Sequence, residues 1–559
     1  MNRLTSDKIK YKKPPVENFL SDYNNLLAEL LVKNKDSLKF IASPTINRLE
    51  AQTHFFEKIQ KYVQICSSLK ENTIGELELT PEDSFMYRGL DKEFRGRVFK
   101  CRRVLTLRQY LKTKILARYI IFLLRWVNLL CRTLIFAFVL PCPKKRYQTI
   151  IRSYFDHRCK DNDGNLREEY FGPLILDLIK TQETLVVYKL LTPSRGELKN
   201  YLNLRLRSKF DSCLVESFLS PIAVIRLFFS YLSSRIKFRG QLIYMGRDIA
   251  FLLQQSLDSD YFSFGGLVTY IEYAAVEKIL NLNPERILMP YENQAWEKVY
   301  PLLKARKSAI STRIIGFQHT GISFKLLNYF PPEQEKGLPF FPDTIITVGK
   351  ITKKILEEKA YFPSKIIEGA ALRHFKLAGN SHFDIKPYEK KINSGIVYAF
   401  SYDITRYKKI IRILIEVFGN SCILVYLKIH PDYDEESVIK DLGLELPSNF
   451  IPAQRVSWQE IYRSVDCVLY NDNSIGLEGI INGLKTFMLD EIIEPIYDSG
   501  RMFYFDEWET KLDMQKLHGL MRSIETKSFN KEFNILRVSE YINAYYNVYT
   551  ADKYFNAYL

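Results

Sequence analysis

The chain has 559 residues, enough for two or three domains, and 47% of them are hydrophobic, which supports packed cores and argues against a disordered tract. Its 80 Lys and Arg against 64 Asp and Glu leave a net charge of +16; fourteen of the cations lie between Arg95 and Arg146, where no acidic residue occurs, which points to one docking patch and against a nucleic-acid surface spread over the molecule. The eight cysteines are scattered without a CxxC pair, so neither a zinc ribbon nor a disulfide framework is expected.

Residues 1–150 read as a helical, basic region. Met1 to Pro15 is basic but lacks the apolar core of a signal peptide, so the expected location is the cytoplasm. Helices are predicted over Val16 to Val32 and Arg48 to Lys70. The stretch 115–140 is strongly apolar, and Arg118, Arg125 and Arg132 interrupt it every seven residues, which places them on one helical stripe with Lys114 and Asn128. Three arginines inside hydrocarbon are costly, so a transmembrane helix is disfavoured. Two readings remain. In one, the helix lies in a membrane interface with Arg118, Arg125 and Arg132 at the headgroups and Trp126 dipping inward. In the other, it is a core element whose stripe faces solvent or an acidic partner. The flanking cations and the aliphatic residues between them favour an anionic membrane surface over nucleic acid, and a peripheral position at the inner face of the plasma membrane.

From Glu183 the texture changes to short apolar runs alternating with amphipathic stretches. Strands are predicted at Thr184 to Leu191, Gln241 to Met245, Arg286 to Met289, Arg313 to Phe317, Thr344 to Val348 and Lys365 to Glu368. A polar linker over 379–394 follows. The pattern restarts at Gly395 to Phe400, Cys422 to Leu427, Cys467 to Tyr470 and Lys485 to Leu489, with helices at Thr405 to Phe418, Ser457 to Ser464 and Ile475 to Asn482. This predicts an α/β protein of two facing, doubly wound Rossmann-type domains, 151–378 and 395–510, with a helical tail over 511–559. Ligands of such domains bind at the carboxyl ends of the strands. No Gly-rich dinucleotide fingerprint or P-loop follows any predicted strand, so nicotinamide, flavin and P-loop chemistry are disfavoured, and no bound cofactor is expected.

The candidates for chemistry therefore sit at strand ends. Lys428-Ile429-His430-Pro431 follows one strand: His430, fixed by Pro431, can donate to a phosphate oxygen, and Lys428 can supply charge. Asn471-Asp472-Asn473-Ser474 follows the next and leads into a helix; Asn473 or Ser474 is its N-cap, the free amides there favour phosphate, and Glu478 one turn in suits ribose hydroxyls. In the first domain, Glu292 and His319 follow two strands, and either can be the base that deprotonates an acceptor hydroxyl.

In chain order, Gln318-His319-Thr320-Gly321, Gly369-Ala370-Ala371-Leu372-Arg373, Lys428-Ile429-His430-Pro431 and Asn473-Ser474 with Glu478 resemble the GT-B glycosyltransferases of bacterial surface polysaccharide synthesis. The pattern is similar to capsule Kdo transferases, to CDP-glycerol glycerophosphotransferases and, through His-Pro, to bacterial sialyltransferases. It looks closest to surface carbohydrate (O-antigen) biosynthesis proteins with a Tyr-Glu-Asn-Gln-like segment, here Tyr291 to Gln294. The resemblance covers roughly 184–505 and leaves the basic N-terminal third outside. It implies a GT-B-like fold, a nucleotide-sugar donor with a cytidine monophosphate sugar favoured, a lipid-linked or polysaccharide acceptor, and a metal-independent reaction. It puts His430 and Ser474 on the nucleotide's phosphates and Glu478 near the sugar. Arg373 is a further candidate for the donor, or one half of a structural salt bridge. Thr320 departs from the Gln-His-Gly of many relatives and leaves the role of His319 open. Two other readings stand beside the transferase: a sugar-nucleotide epimerase of the same architecture, and a non-catalytic membrane-bound scaffold for polysaccharide enzymes.

Overall fold

Two parallel β-sheets organise the chain. The computed structural model describes it outside residues 1–2, 6–15, 50–52, 72–75, 80–85, 95–106, 140–144, 157, 162, 191–194, 264, 308–309, 323–325, 378–393, 402, 431–432, 472, 490–509 and 530–534. The first sheet holds β1 (Thr149–Phe155), β2 (Thr184–Leu190), β3 (Asp211–Leu214), β4 (Arg286–Pro290), β5 (Arg313–Phe317), β6 (Thr344–Thr347) and β7 (Lys365–Glu368), in the order β7-β6-β5-β4-β1-β2-β3. The second holds β8 (Gly395–Ala399), β9 (Leu424–Lys428), β10 (Phe450–Pro452), β11 (Cys467–Tyr470), β12 (Lys485–Met488) and β13 (Thr510–Lys511), in the order β10-β9-β8-β11-β12-β13. All pairings within both sheets are parallel. Strands β1 and β2 are buried on both faces, and β2 accordingly reads in sequence as a near-continuous apolar run without alternation.

Each sheet winds outward from a central strand, returns, and winds outward the other way. The reversal falls between β1 and β4 in the first sheet and between β8 and β11 in the second. Strand carboxyl ends at such a switch point open into a crevice. The expected pair of doubly wound domains is therefore what the chain forms.

Four strands of the two sheets escape the sequence reading: β1, β3, β10 and β13. The last three are edge strands of two to four residues, too short to set up a recognisable period, and the apolar run of β1 is broken by the buried Arg152 and Ser153. The central strand β1 begins at Thr149, so the first domain starts before residue 151. Gln241 to Met245 does not join the sheet; Ile243–Tyr244 pairs antiparallel with Arg247–Asp248 in a separate ribbon that turns through Met245 and Gly246, both at positive φ. The linker expected at 379–394 lies outside the described residues except for Ser394.

The N-terminal helices α1 (Val16–Lys33) and α2 (Phe55–Glu71) dock on the first domain. Arg48 beside α2 forms a fully buried ion pair with Glu335, and Asp260 accepts hydrogen bonds from Ser43 Oγ (2.5 Å) and Thr45 N (2.9 Å). The long helix α3 (Leu107–Val139) lies against α4 (Pro221–Leu232), with Phe122 and Trp126 around Phe228. Ser220 starts α4 by accepting from Ala223 N, and Pro221 has the fixed φ suited to its first position.

Helix α5 (Ile475–Ile481), after β11, sends Leu477, Ile480 and Ile481 into a core cluster of the first domain, so the two domains meet there. The expected single tail over 511–559 divides. Helix α6 (Met514–Glu525), capped by Asp513, closes the core of the second domain through Leu517, Leu520 and Ile524. Helix α7 (Ile535–Tyr545) returns to the first domain with Val538, Ile542 and Tyr545. There Asn547 N donates to Val348 O (2.9 Å) and Ala371 N donates to Asn547 O (2.8 Å).

Candidate active site

A cleft of about 1070 Å³ lies where the carboxyl ends of the two sheets converge, a size at the upper end of small-molecule sites. Both switch points line it. From the first domain come Asp156 and Arg158, just past β1, with Glu169, Arg373 and His374. From the second come Ala399 and Phe400 past β8, His430 past β9, and Asn473, Ser474 and Glu478 past β11.

On the second-domain wall the sequence candidates come together with two changes of role. Asn473 Nδ2 donates to Ala399 O (3.0 Å) and its Oδ1 accepts from Ile475 N (3.1 Å), which ties the ends of β8 and β11 together across the switch point. Ser474 caps no backbone amide; its Oγ donates to Glu478 Oε1 (3.2 Å), and α5 is a short helix of seven residues. His430 is half-buried on the cleft wall beside Tyr433 (ring centroids 6.3 Å apart). Pro431 lies outside the described residues.

Lys428 is the larger correction. Its ammonium donates to three backbone carbonyls, those of Ala453 (2.9 Å), Gln454 (2.9 Å) and Val456 (2.5 Å), and stands over the Trp458 ring. An ammonium has three N–H donors, so none is left for a phosphate. Lys428 builds the loop beneath the cleft. Asp434, also on the cleft wall, caps the helix Glu435–Leu442 by accepting from Ser437 N (3.0 Å).

In the first domain, Glu292 and His319 meet: His319 Nε2 lies 3.8 Å from Glu292 Oε1. The loop after β4 is held from inside by Glu297, whose carboxylate accepts from Glu292 N and Gln294 N (3.0 Å each). Asn293 at φ 56° turns the chain and donates to Asn328 O (2.7 Å). Burial pushes the Glu292 carboxyl up, opposed by hydrogen bonds from Gln294 and Thr320 and by the Arg373 charge. The threonine that departs from the family pattern thus supports Glu292. Burial, with the Arg373 charge, drives His319 well below the ordinary histidine range, so its imidazole is neutral. Glu292 keeps a fifth of its side chain exposed, whereas His319 is buried and packs edge-on against Tyr170 (5.0 Å), whose ring also carries Arg373 (5.3 Å).

Arg373 is the hub of the charges here. It acts on Glu169, Glu292, His319, His374 and Glu478, and among the described residues it forms no ion pair. Its acidic neighbours on the cleft wall are engaged elsewhere: Asp156 holds Arg158, and Glu169 holds Arg167 (2.6 Å). Of the two sequence alternatives for Arg373, the structural salt bridge is absent among the described residues. Sequence reasoning passed over Arg158, Tyr170 and His374. Asp156 and Arg158 carry a readable signal, since they directly follow β1, but that strand was itself not recognised. His374 adjoins Arg373 and had no strand end to mark it. No group of three or more His, Cys, Asp or Glu side chains that could hold a metal occurs among the described residues.

The basic helix α3 is placed differently from the arginine-stripe expectation. Trp126 is buried in the protein, and Arg132 is buried with its Nη2 3.0 Å from Glu216 Oε1, which also takes Lys189 Nζ (3.0 Å). Neither can serve as a membrane contact: a seven-residue repeat drifts about 20° per step around a straight helix, and Arg132 turns inward to Glu216. Arg125 is exposed, and the side chain of Arg118 lies outside the described residues. The outward face carries apolar side chains instead: Ile120, Leu124 and Val127 of α3 are each at least half exposed, as are Ile222 and Phe229 of α4. No described helix is long and apolar enough to cross a membrane.

No family model matches the chain, and no curated protein matches it. Among solved structures it is similar to the S. aureus MnaA–UDP co-structure (10% identity, TM-score 0.38, covering 72% of this chain and 91% of that one). It is similar also to CalG4, the calicheamicin glycosyltransferase (12%, 0.37, 72% and 98%), and to the wall teichoic acid polymerase TagF (10%, 0.35, 73% and 86%).

Proposed function

We propose that the chain is a metal-independent glycosyltransferase that moves a sugar from a nucleotide donor, a cytidine monophosphate sugar favoured, to a lipid-linked or polysaccharide acceptor of surface polysaccharide synthesis. The observation that carries this reading is the cleft itself: two switch points face each other across it, one wall offering His430, Asn473, Ser474 and Glu478, the other an arginine without an ion-pair partner among the described residues. The donor lies on the second-domain wall with its phosphate toward Arg373. The acceptor hydroxyl loses its proton to Glu292, supported by His319, as its oxygen bonds to the sugar's anomeric carbon. The bond from that carbon to the phosphate breaks, and the electron pair leaves with the nucleotide, whose charge meets Arg373 and His430. Glu292 takes the base role over His319 because its carboxyl is the more exposed of the two. Thermal shift of the full chain with cytidine and uridine nucleotides, followed by donor turnover with isolated lipid-linked acceptors, tests the reading. Stabilisation by neither nucleotide class would end it.

The same reading places the protein in the cytoplasm, on the inner face of the plasma membrane. The apolar face shared by α3 and α4 meets an anionic bilayer; its exposed side chains enter the interface, and the cations of 95–146 other than the buried Arg132 match the lipid charge. Sedimentation with anionic and with neutral liposomes at low salt checks this, and equal absence from both pellets would remove the bilayer from the proposal.

A further inference from the structure

Two consecutive side chains on the cleft wall form no side-chain hydrogen bond among the described residues. Arg373 and His374 belong to the 3₁₀ turn Leu372–Leu377 that closes the first domain. Arg373 lies on the Tyr170 ring with no ion pair among the described residues. His374 is 6% exposed; its ring stacks on Tyr546 (4.7 Å between centroids, 27° between planes), and its Nε2 is buried without a hydrogen-bond partner. Its Nδ1 stops 3.9 Å from Glu478 Oε1, beyond hydrogen-bond length and on the opposite domain.

We infer that Arg373 and His374 together form an oxyanion site for the phosphate of the nucleotide, with Glu478 orienting the imidazole once the site is filled. The inference rests on the cleft being the donor site. A buried imidazole nitrogen without a partner is unfavourable until a group arrives that can accept from it, and the half-buried guanidinium beside it favours an anionic one. A phosphate accepts from a guanidinium and an imidazole at once and is the group that Arg recognises best. Nearby carboxylates do not compete: burial pushes Glu478 and Glu169 toward their neutral forms, and Asp156 is held by Arg158. Burial, and after it the Arg373 charge, lowers His374 to about 3, so the free protein holds a neutral ring, which can donate one N–H to the phosphate while its other nitrogen faces Glu478. The stack on Tyr546 fixes the plane of the ring against the first domain.

The test is calorimetric titration of the full chain with inorganic phosphate, cytidine monophosphate and cytidine, using wild type, Arg373→Gln and His374→Phe. Phenylalanine keeps the stack on Tyr546 and removes only the nitrogens, so fold and phosphate recognition are separated; circular dichroism and melting confirm the fold. Expected is a loss of about tenfold or more in affinity for cytidine monophosphate and phosphate in both variants, as for hydrogen bonds to a charged group, with cytidine affinity unchanged. Wild-type affinity for the monophosphate in folded His374→Phe overturns the inference, as does an equal loss for cytidine. Phosphate bound in a manner sensitive to both substitutions, but no nucleotide bound, upholds the oxyanion site and sinks the transferase reading. No binding of either ends both.

Discussion

His319 Nε2 lies 3.8 Å from Glu292 Oε1, and burial displaces the two groups in opposite senses: the carboxyl upward, the imidazole downward. Two titratable groups so separated suit a division of labour in which one moves the proton and the other holds it in place. Glu292→Gln should therefore lower turnover by about 100-fold or more, the usual reach of general-base catalysis, with nucleotide affinity preserved. A carboxylate works as a base only when ionised, so the rate should rise with pH through the raised Glu292 pKa and then level off. His319→Gln should keep that limb at a lower plateau. The reverse pattern in steady-state pH profiles would transfer the base role to His319.

Lys428 and His430 sit two residues apart and should fail differently. Lys428→Ala leaves three carbonyls without their donor and should cost about 1–3 kcal/mol of stability, read as a lower denaturation midpoint. His430→Ala should keep the midpoint and weaken nucleotide binding. A Lys428 variant of unchanged stability with nucleotide affinity lost would restore the phosphate role that its sequence position suggests.

The acid side of the stability profile has a named contributor. For Glu216, burial favours the neutral form, but Lys189 and Arg132 overcome it and bring the carboxyl down to about 2, from an ordinary value of 4.5. A lowered folded-state pKa means that the stabilisation is fully present above about 4.5 and lost as pH falls toward 2. Glu216→Gln, which takes the carboxylate away from Arg132 and Lys189, should cost about 3–5 kcal/mol at neutral pH. Its deficit against wild type should shrink below pH 4.5. Urea denaturation across pH reads both, and a deficit that persists unchanged into acid would remove Glu216 from this role.

Bilayer binding should follow the exposed side chains of α3 and α4. Leu124→Glu and Phe229→Glu, on adjacent helices and both more than 60% exposed, should each abolish co-sedimentation with anionic vesicles and leave melting unchanged. Loss of binding in neither would move the contact off this face.

Strands such as Thr184 to Leu190 were legible because burial on both faces turns them into apolar runs, whereas Arg152 and Ser153 hid the central strand Thr149–Phe155. Edge strands such as Phe450–Pro452 were not, since three residues carry no period. At the site, strand ends gave up Glu292, His319, His430 and Asn473 because the chain's direction alone fixes where a parallel strand points. The role of Lys428 was not readable: its partners Ala453, Gln454 and Val456 are separated from it by an edge strand that sequence did not reveal. Trp126 and Arg132 failed for a different reason. A helix apolar on most of its circumference does not say which side meets protein, and that was decided by Phe228 and Glu216 on distant segments.

The return of the chain to its first domain after completing the second has a consequence for synthesis. Val348, Ala370 and Ala371 are covered by residues after Ile535, which leave the ribosome roughly 170 residues later; at about 5–20 residues per second this interval is roughly 10–30 s. During that time the first sheet exists with one apolar face open and its last layer not yet made. The second domain is in effect an insertion into the first, and the nascent chain depends on a chaperone, or on rapid folding of the inserted domain, to keep that face from other partners.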